Sequence, residues 1–286
     1  LITYHKNLLI QGSISRPMAT DVMFDTNGIQ KPIIIYIHGF NGFKDWGNFE
    51  MVAREFAQAG YFFIKSNLSH NGTTPSHPSD FVDLEAYGQN NYSKEIYDTN
   101  AIIDWVLNID NVYKNEFDTS KISLFGHSRG GGICILTAAK NKSVKGIITW
   151  ASIAECKTPW GNWSDEKLTE WKKNGVQNYS NKRTNQEMPL LYQLYEDYIH
   201  NKQELDIQQA ISNLQIPILL CHGTKDEAVP YQKALQLKAW QPSATLFTLE
   251  SDHVFGRKHP WDSISLPKAT QQAISESISF LNSTFL

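Results

Sequence analysis

Residues 122–132, Ile-Ser-Leu-Phe-Gly-His-Ser-Arg-Gly-Gly-Gly, constrain the fold of this chain more than any other stretch. The apolar run Ile122 to Phe125 reads as a buried strand, and Ile133 to Ala139 reads as a buried helix. Ser128 stands at the break between them. Glycine is required two residues either side of such a break, because a side chain at Gly126 or Gly130 would collide with the neighbouring strand or helix. The G-x-S-x-G pattern, Gly126-His127-Ser128-Arg129-Gly130, makes the Ser128 hydroxyl a candidate nucleophile. A glycine-rich turn or a phosphate loop would use similar residues, so the remainder of the chain has to discriminate.

The periodicity upstream and downstream of this stretch alternates between strand and helix. Residues 6–15 alternate with an internal Gly12, which predicts an edge strand or hairpin arm ended by Pro17. Ile33 to Ile37 is apolar on both faces, as in a central parallel strand covered by helices on each side, and it runs into His38-Gly39-Phe40. Phe49, Val52, Ala53 and Phe56 share one helical face within 46–59, and Gly60 follows as a stop. Strands over Tyr61–Lys65, Ile122–Phe125 and Val144–Ala151 alternate with helices over 93–107 and 133–139. The expected fold class is therefore α/β, a doubly wound and mostly parallel sheet. Ligands of such sheets bind at the carboxyl ends of the strands, where His38, Ser128 and Trp150 fall.

Residues 153–212 break the alternation, with no strand-like run and with helical stretches over 164–173 and 190–200. So long an excursion in a compact domain reads as an inserted helical cap over a site. It is crowded with aromatic residues, of which Trp160, Trp163, Tyr192 and Tyr195 are the candidates for a substrate-pocket wall. The alternative is that these rings pack the cap onto the sheet. Alternation resumes with a strand over Ile216–Cys221, a helix over 231–240, a strand over Thr245–Leu249 and a helix over 267–284. The chain thus reads as one domain, 1–286, carrying 153–212 as its cap.

Composition removes several functional classes. A net charge of -3 with scattered Lys and Arg gives no footprint for nucleic acid. The longest apolar runs are far too short for a membrane span. The opening residues lack a charged region followed by an apolar stretch, so a cytoplasmic location is expected, with residues before Leu1 left open. Three irregularly spaced cysteines suit neither a disulfide framework nor a metal site. His38 and His222 each precede a glycine and His127 follows one, all at strand ends, and the three read as turn residues. No metal or organic cofactor is expected, and the sequence is silent on oligomeric state.

Beyond the elbow, the pattern His222-Gly-x-x-Asp226 follows the strand after the cap, and Asp252-His253 follows the last strand. With His38-Gly39-Phe40 and the elbow, these motifs resemble the α/β-hydrolase superfamily, which places its triad in the chain order Ser, Asp, His. The likeness covers nearly the whole chain from about residue 30, and is most similar to the dienelactone-hydrolase-like and cinnamoyl (feruloyl) esterase branch. Dienelactone hydrolases themselves use a cysteine nucleophile, whereas the elbow residue here is serine. A serine hydroxyl needs an adjacent base at neutral pH, and a histidine can take its proton and later return it to the leaving group. His253 is the candidate base. Asp226 is the candidate for holding its tautomer, with Glu227 and Asp252 as rivals. Backbone N–H groups would bind the oxyanion: Arg129 from the elbow and, by resemblance, Phe40. In both, the side chain is expected to be incidental. The resemblance implies a serine hydrolase of carboxylic esters, on aryl or short acyl esters as small-molecule substrates. A serine peptidase or amidase of the aminopeptidase kind and a catalytically silent binding protein are the alternatives.

Overall fold

The computed structural model describes residues 1–181 and 183–285. Its centre is an eight-stranded sheet in the order β1-β2-β4-β3-β5-β6-β9-β10. The strands are β1 (Ile2–Gln11), β2 (Pro17–Asp25), β3 (Lys31–Ile37), β4 (Phe62–Ser66), β5 (Phe117–His127), β6 (Val144–Trp150), β9 (Ile218–Gly223) and β10 (Thr245–Leu249). From β4 to β10 every neighbouring pair is parallel, while β1 and β2 join antiparallel at one edge. This is the α/β-hydrolase fold. Alternation along β3 divides the core in two: Ile33, Ile35 and Ile37 belong to one apolar cluster, and Ile34 and Tyr36 to the other. Helices α3 (Tyr92–Leu107) and α4 (Arg129–Lys140) cover the first face, and α1 (Phe49–Gln58) and α9 (Lys268–Phe285) cover the second. A short helix, α2 (Leu84–Gly88), precedes α3, and α8 (Gln232–Trp240) connects β9 to β10.

Two segments differ from the sequence-based expectation. Pro17 begins β2 instead of ending the local structure, a position where a missing N–H costs the ladder nothing. Asp21 disguises this strand: it is fully buried in the middle of it, and its carboxylate accepts from Lys44 and Lys65, each at 2.7 Å. The segment between β6 and β9 contains α5 (Asp165–Asn174), α6 (Gln193–His200) and α7 (Ile207–Asn213). It also contains an antiparallel hairpin, β7 (Val176–Asn181) and β8 (Gln186–Leu191), that the polar sequence of this stretch does not announce. Residues 190 and 191, expected to be helical, close that hairpin, and Trp171 of α5 donates its indole N–H to the Leu190 carbonyl at 2.7 Å. No helix among the described residues is long and apolar enough to cross a membrane.

Candidate active site

Ser128 sits between the end of β5 and the start of α4 with φ 56° and ψ −120°, a backbone conformation unfavourable to any residue with a side chain. The neighbours make this possible. A Cβ added to Gly126 would lie 2.3 Å from the Gly130 carbonyl oxygen, and one added to Gly130 would lie 2.2 Å from the carbonyl oxygen of Ile37. The tight crossing of β5, α4 and β3 therefore admits no side chain at either position. The Ser128 N–H donates to the Trp150 carbonyl at 2.8 Å, tying the elbow to β6.

The loops after β9 and β10 bring Asp226 and His253 together. His253 Nδ1 lies 2.8 Å from Asp226 Oδ2. Asp226 Oδ1 accepts the backbone N–H groups of Ala228 and Val229 at 2.9 and 2.8 Å, and His222 Nε2 stands 3.2 Å from Oδ2. Burial alone would raise the Asp226 carboxyl; hydrogen bonds from His222, His253 and the Val229 N–H outweigh it and hold the group well below the usual carboxylate range. An ionised Asp226 keeps the proton of His253 on Nδ1, which leaves Nε2 free to accept. Glu227 and Asp252, the rival acids, make no hydrogen bond to His253 among the described residues. Ser128 and His253 line one cavity of about 180 Å³ with Tyr36, Phe40, Trp46 and Arg257. No hydrogen bond joins their side chains among the described residues.

Residues 21–241 match the family described as BD-FAE. The chain belongs to the BD-FAE family. Among solved structures, it is similar to Est1E from Butyrivibrio proteoclasticus, with 19% identity and a TM-score of 0.71 in the form with ferulic acid bound, over 97% of this chain and 98% of that one. It is also similar to the α/β hydrolase GrgF from Penicillium sp. sh18, at 15% identity and TM-score 0.71 over 99% of both chains. A puromycin-hydrolyzing peptidase from Mycobacterium tuberculosis is similar at 13% identity and TM-score 0.65, over 99% of this chain and 39% of that one. No curated protein matches the sequence.

In this BD-FAE member the loop after β3 lies against the elbow. A Cβ on Gly39 would sit 3.0 Å from the Ser128 Cβ, so Gly39 allows the chain leading into Phe40 to approach the nucleophile candidate. His38 holds that loop from within: its Nδ1 bonds the Gly39 carbonyl at 2.9 Å and its Nε2 accepts the Leu68 N–H at 3.2 Å. Burial pushes its pKa down to about 4, which keeps the ring neutral and this tautomer in place. His127 is likewise kept neutral by burial, and its Nε2 bonds the His253 carbonyl at 3.0 Å, fixing the loop that carries the base candidate. His222 Nε2 bonds the Val229 carbonyl at 2.8 Å, so all three rings bond backbone groups near the site; no metal-type cluster of His, Cys, Asp and Glu occurs among the described residues.

The aromatic residues between β6 and β9 pack chiefly on one another. Trp160, Trp163, Tyr192 and Tyr195 do not line the Ser128 cavity; each packs within about 6 Å of Trp171, forming an apolar centre of this segment. Tyr179 on β7 packs on Phe40, 5.9 Å between ring centroids, with its hydroxyl 2.9 Å from that of Tyr87. Tyr87 in turn donates to Asn41. Arg257 is a second residue that the sequence does not flag. It is buried beside Trp46, Phe49 and Trp150, donates Nε–H to the Val254 carbonyl at 3.0 Å, and leaves both terminal nitrogens without a partner among the described residues. Its place four residues after His253 is the only sequence signal that could have marked it.

Proposed function

We propose that this protein is a serine hydrolase of carboxylic esters, acting on aryl or short acyl esters through an acyl-enzyme. The observation that carries the reading is the pairing of His253 Nδ1 with a strongly ionised Asp226 at 2.8 Å, on the wall of the cavity that Ser128 also lines. In the first step His253 Nε2 takes the Ser128 proton while Oγ bonds to the ester carbonyl carbon, and the oxyanion accepts the N–H groups of Phe40 and Arg129. The C–O bond to the alcohol then breaks, and the alcohol leaves with the proton from His253. A water molecule repeats the sequence and frees the acid. Ser128 at the start of a helix and the neutral, hydrogen-bonded His38 and His127 support this assignment, because they fix the reacting groups before substrate arrives.

Burst release of p-nitrophenol from p-nitrophenyl butyrate, a fluorophosphonate adduct on Ser128 by mass spectrometry, and loss of both in Ser128→Ala are expected. Full turnover by folded Ser128→Ala would sink the reading. Matched ester and anilide substrates separate an esterase from an amidase: the ester is expected to be cleaved, and the anilide to be cleaved far more slowly.

A further inference from the structure

The side chain of Arg129 is not incidental. It is 1% exposed, and its Nε donates to Glu95 Oε2 at 2.9 Å. Glu95, on α3, is buried as well, and its other carboxylate oxygen accepts from Asn90 at 2.7 Å. The guanidinium carbon lies 3.9 Å from the Tyr92 ring centroid and 5.6 Å from that of Phe40, and Nη1 donates to the Thr158 carbonyl at 3.4 Å. Nη2 has no partner among the described residues. One planar group therefore touches α3, the loop bearing Phe40 and the first segment of the cap.

As a device for stability this arrangement is poor. Two charges have been taken out of water and one donor remains unmet, whereas apolar side chains of similar volume would hold the same elements at least as well. As a device for direction it is well suited. A guanidinium held along one edge by a carboxylate and stacked on an aromatic face cannot swing, which an alkyl chain or an ammonium can. The residue so held supplies the N–H at the start of α4, and the same plane bears on the ring of Phe40, which supplies the other. We infer that the Arg129 side chain is a positioning residue that fixes the two oxyanion-hole donors relative to one another. This rests on the reading of Ser128 as nucleophile.

The test is the double variant Glu95→Leu with Arg129→Met, which removes both charges together and leaves no lone buried ion. It is expected to fold with an unchanged or higher thermal midpoint. Its kcat on p-nitrophenyl butyrate should fall about 10-fold to 100-fold, with KM changed less than about threefold, since small misplacements of donors act on the transition state. Affinity for an alkyl trifluoromethyl ketone, which mimics the tetrahedral adduct, should fall by the same factor as kcat/KM. A folded double variant with kcat within about threefold of wild type, or one changed in KM alone, overturns the inference. Should the double variant fail to fold, Arg129→Lys keeps the charge but not the fork, and the same readings of kcat and ketone affinity decide. Wild-type protein that neither hydrolyses the ester nor takes a fluorophosphonate on Ser128 overturns the esterase reading and this inference together, whereas a labelled wild type beside an unimpaired variant overturns this inference alone.

Discussion

Asp226 shows how much chemistry one side chain sets through its partners. Oδ1 is committed to two backbone N–H groups, and Oδ2 faces the ring nitrogens of His253 and His222. In Asp226→Asn the backbone donors will retain the oxygen, so the amide NH₂ must take the other position and point at His253. His253 will then accept at Nδ1 and carry its proton on Nε2, the wrong tautomer for removing a proton from Ser128. A loss of about 10⁴-fold in kcat is expected with the fold intact, measured on p-nitrophenyl butyrate beside a circular dichroism spectrum. An Asn variant with near-normal turnover would transfer the role to another carboxylate. The spacing of Ser128, Asp226 and His253 along the chain marks these residues because each follows an apolar strand. Arg257 and the contacts of Arg129 carry no such mark, since what distinguishes them is burial without full pairing, which only the folded chain displays.

At the scale of elements, the central parallel strands are legible because both faces are apolar, as in β3, and the helices because their apolar residues recur on one face, as in α1. Strand β2 was hidden by Asp21, whose lysine partners come from β4 and from the loop after β3. The cap hairpin was hidden for a related reason: β7 is only partly buried, so its sequence, Val-Gln-Asn-Tyr-Ser-Asn, shows no strong alternation. Yet Tyr179 of this hairpin packs on Phe40, which lines the Ser128 cavity. Tyr179→Ala removes the ring that packs on Phe40 and the hydroxyl bonded to Tyr87. We expect KM for 1-naphthyl butyrate to rise about tenfold, by loss of roughly 1.4 kcal/mol of contact, while fluorophosphonate labelling of Ser128 stays within about threefold. Equal losses in both assays would mean that Tyr179 supports the elbow and not the substrate.

Across the whole molecule, burial of neutral histidines ties stability to pH. Burial pushes His38 and His70 down to about 4 and holds His127 well below the ordinary histidine value of 6.5. As pH falls from about 6.5 toward 4 the unfolded chain takes up a proton at each of these rings and the folded chain refuses it, so their contribution to stability is progressively lost. Two buried carboxyls act in the opposite sense. Burial raises Asp98 to about 6, so over the same window the folded chain takes a proton there that the unfolded chain does not, and burial raises Glu95 in the same direction. The three histidines outnumber these two carboxyls, so over this window the unfolded chain takes up more protons than the folded one and stability falls as the pH falls. Below pH 4 the lowered carboxyls of Asp21, Asp45 and Asp226 extend the loss. The urea midpoint should therefore be lower at pH 5.0 than at pH 7.5. A midpoint that rises on acidification would mean that Asp98 and Glu95 dominate, and that the buried histidines are protonated in the native state.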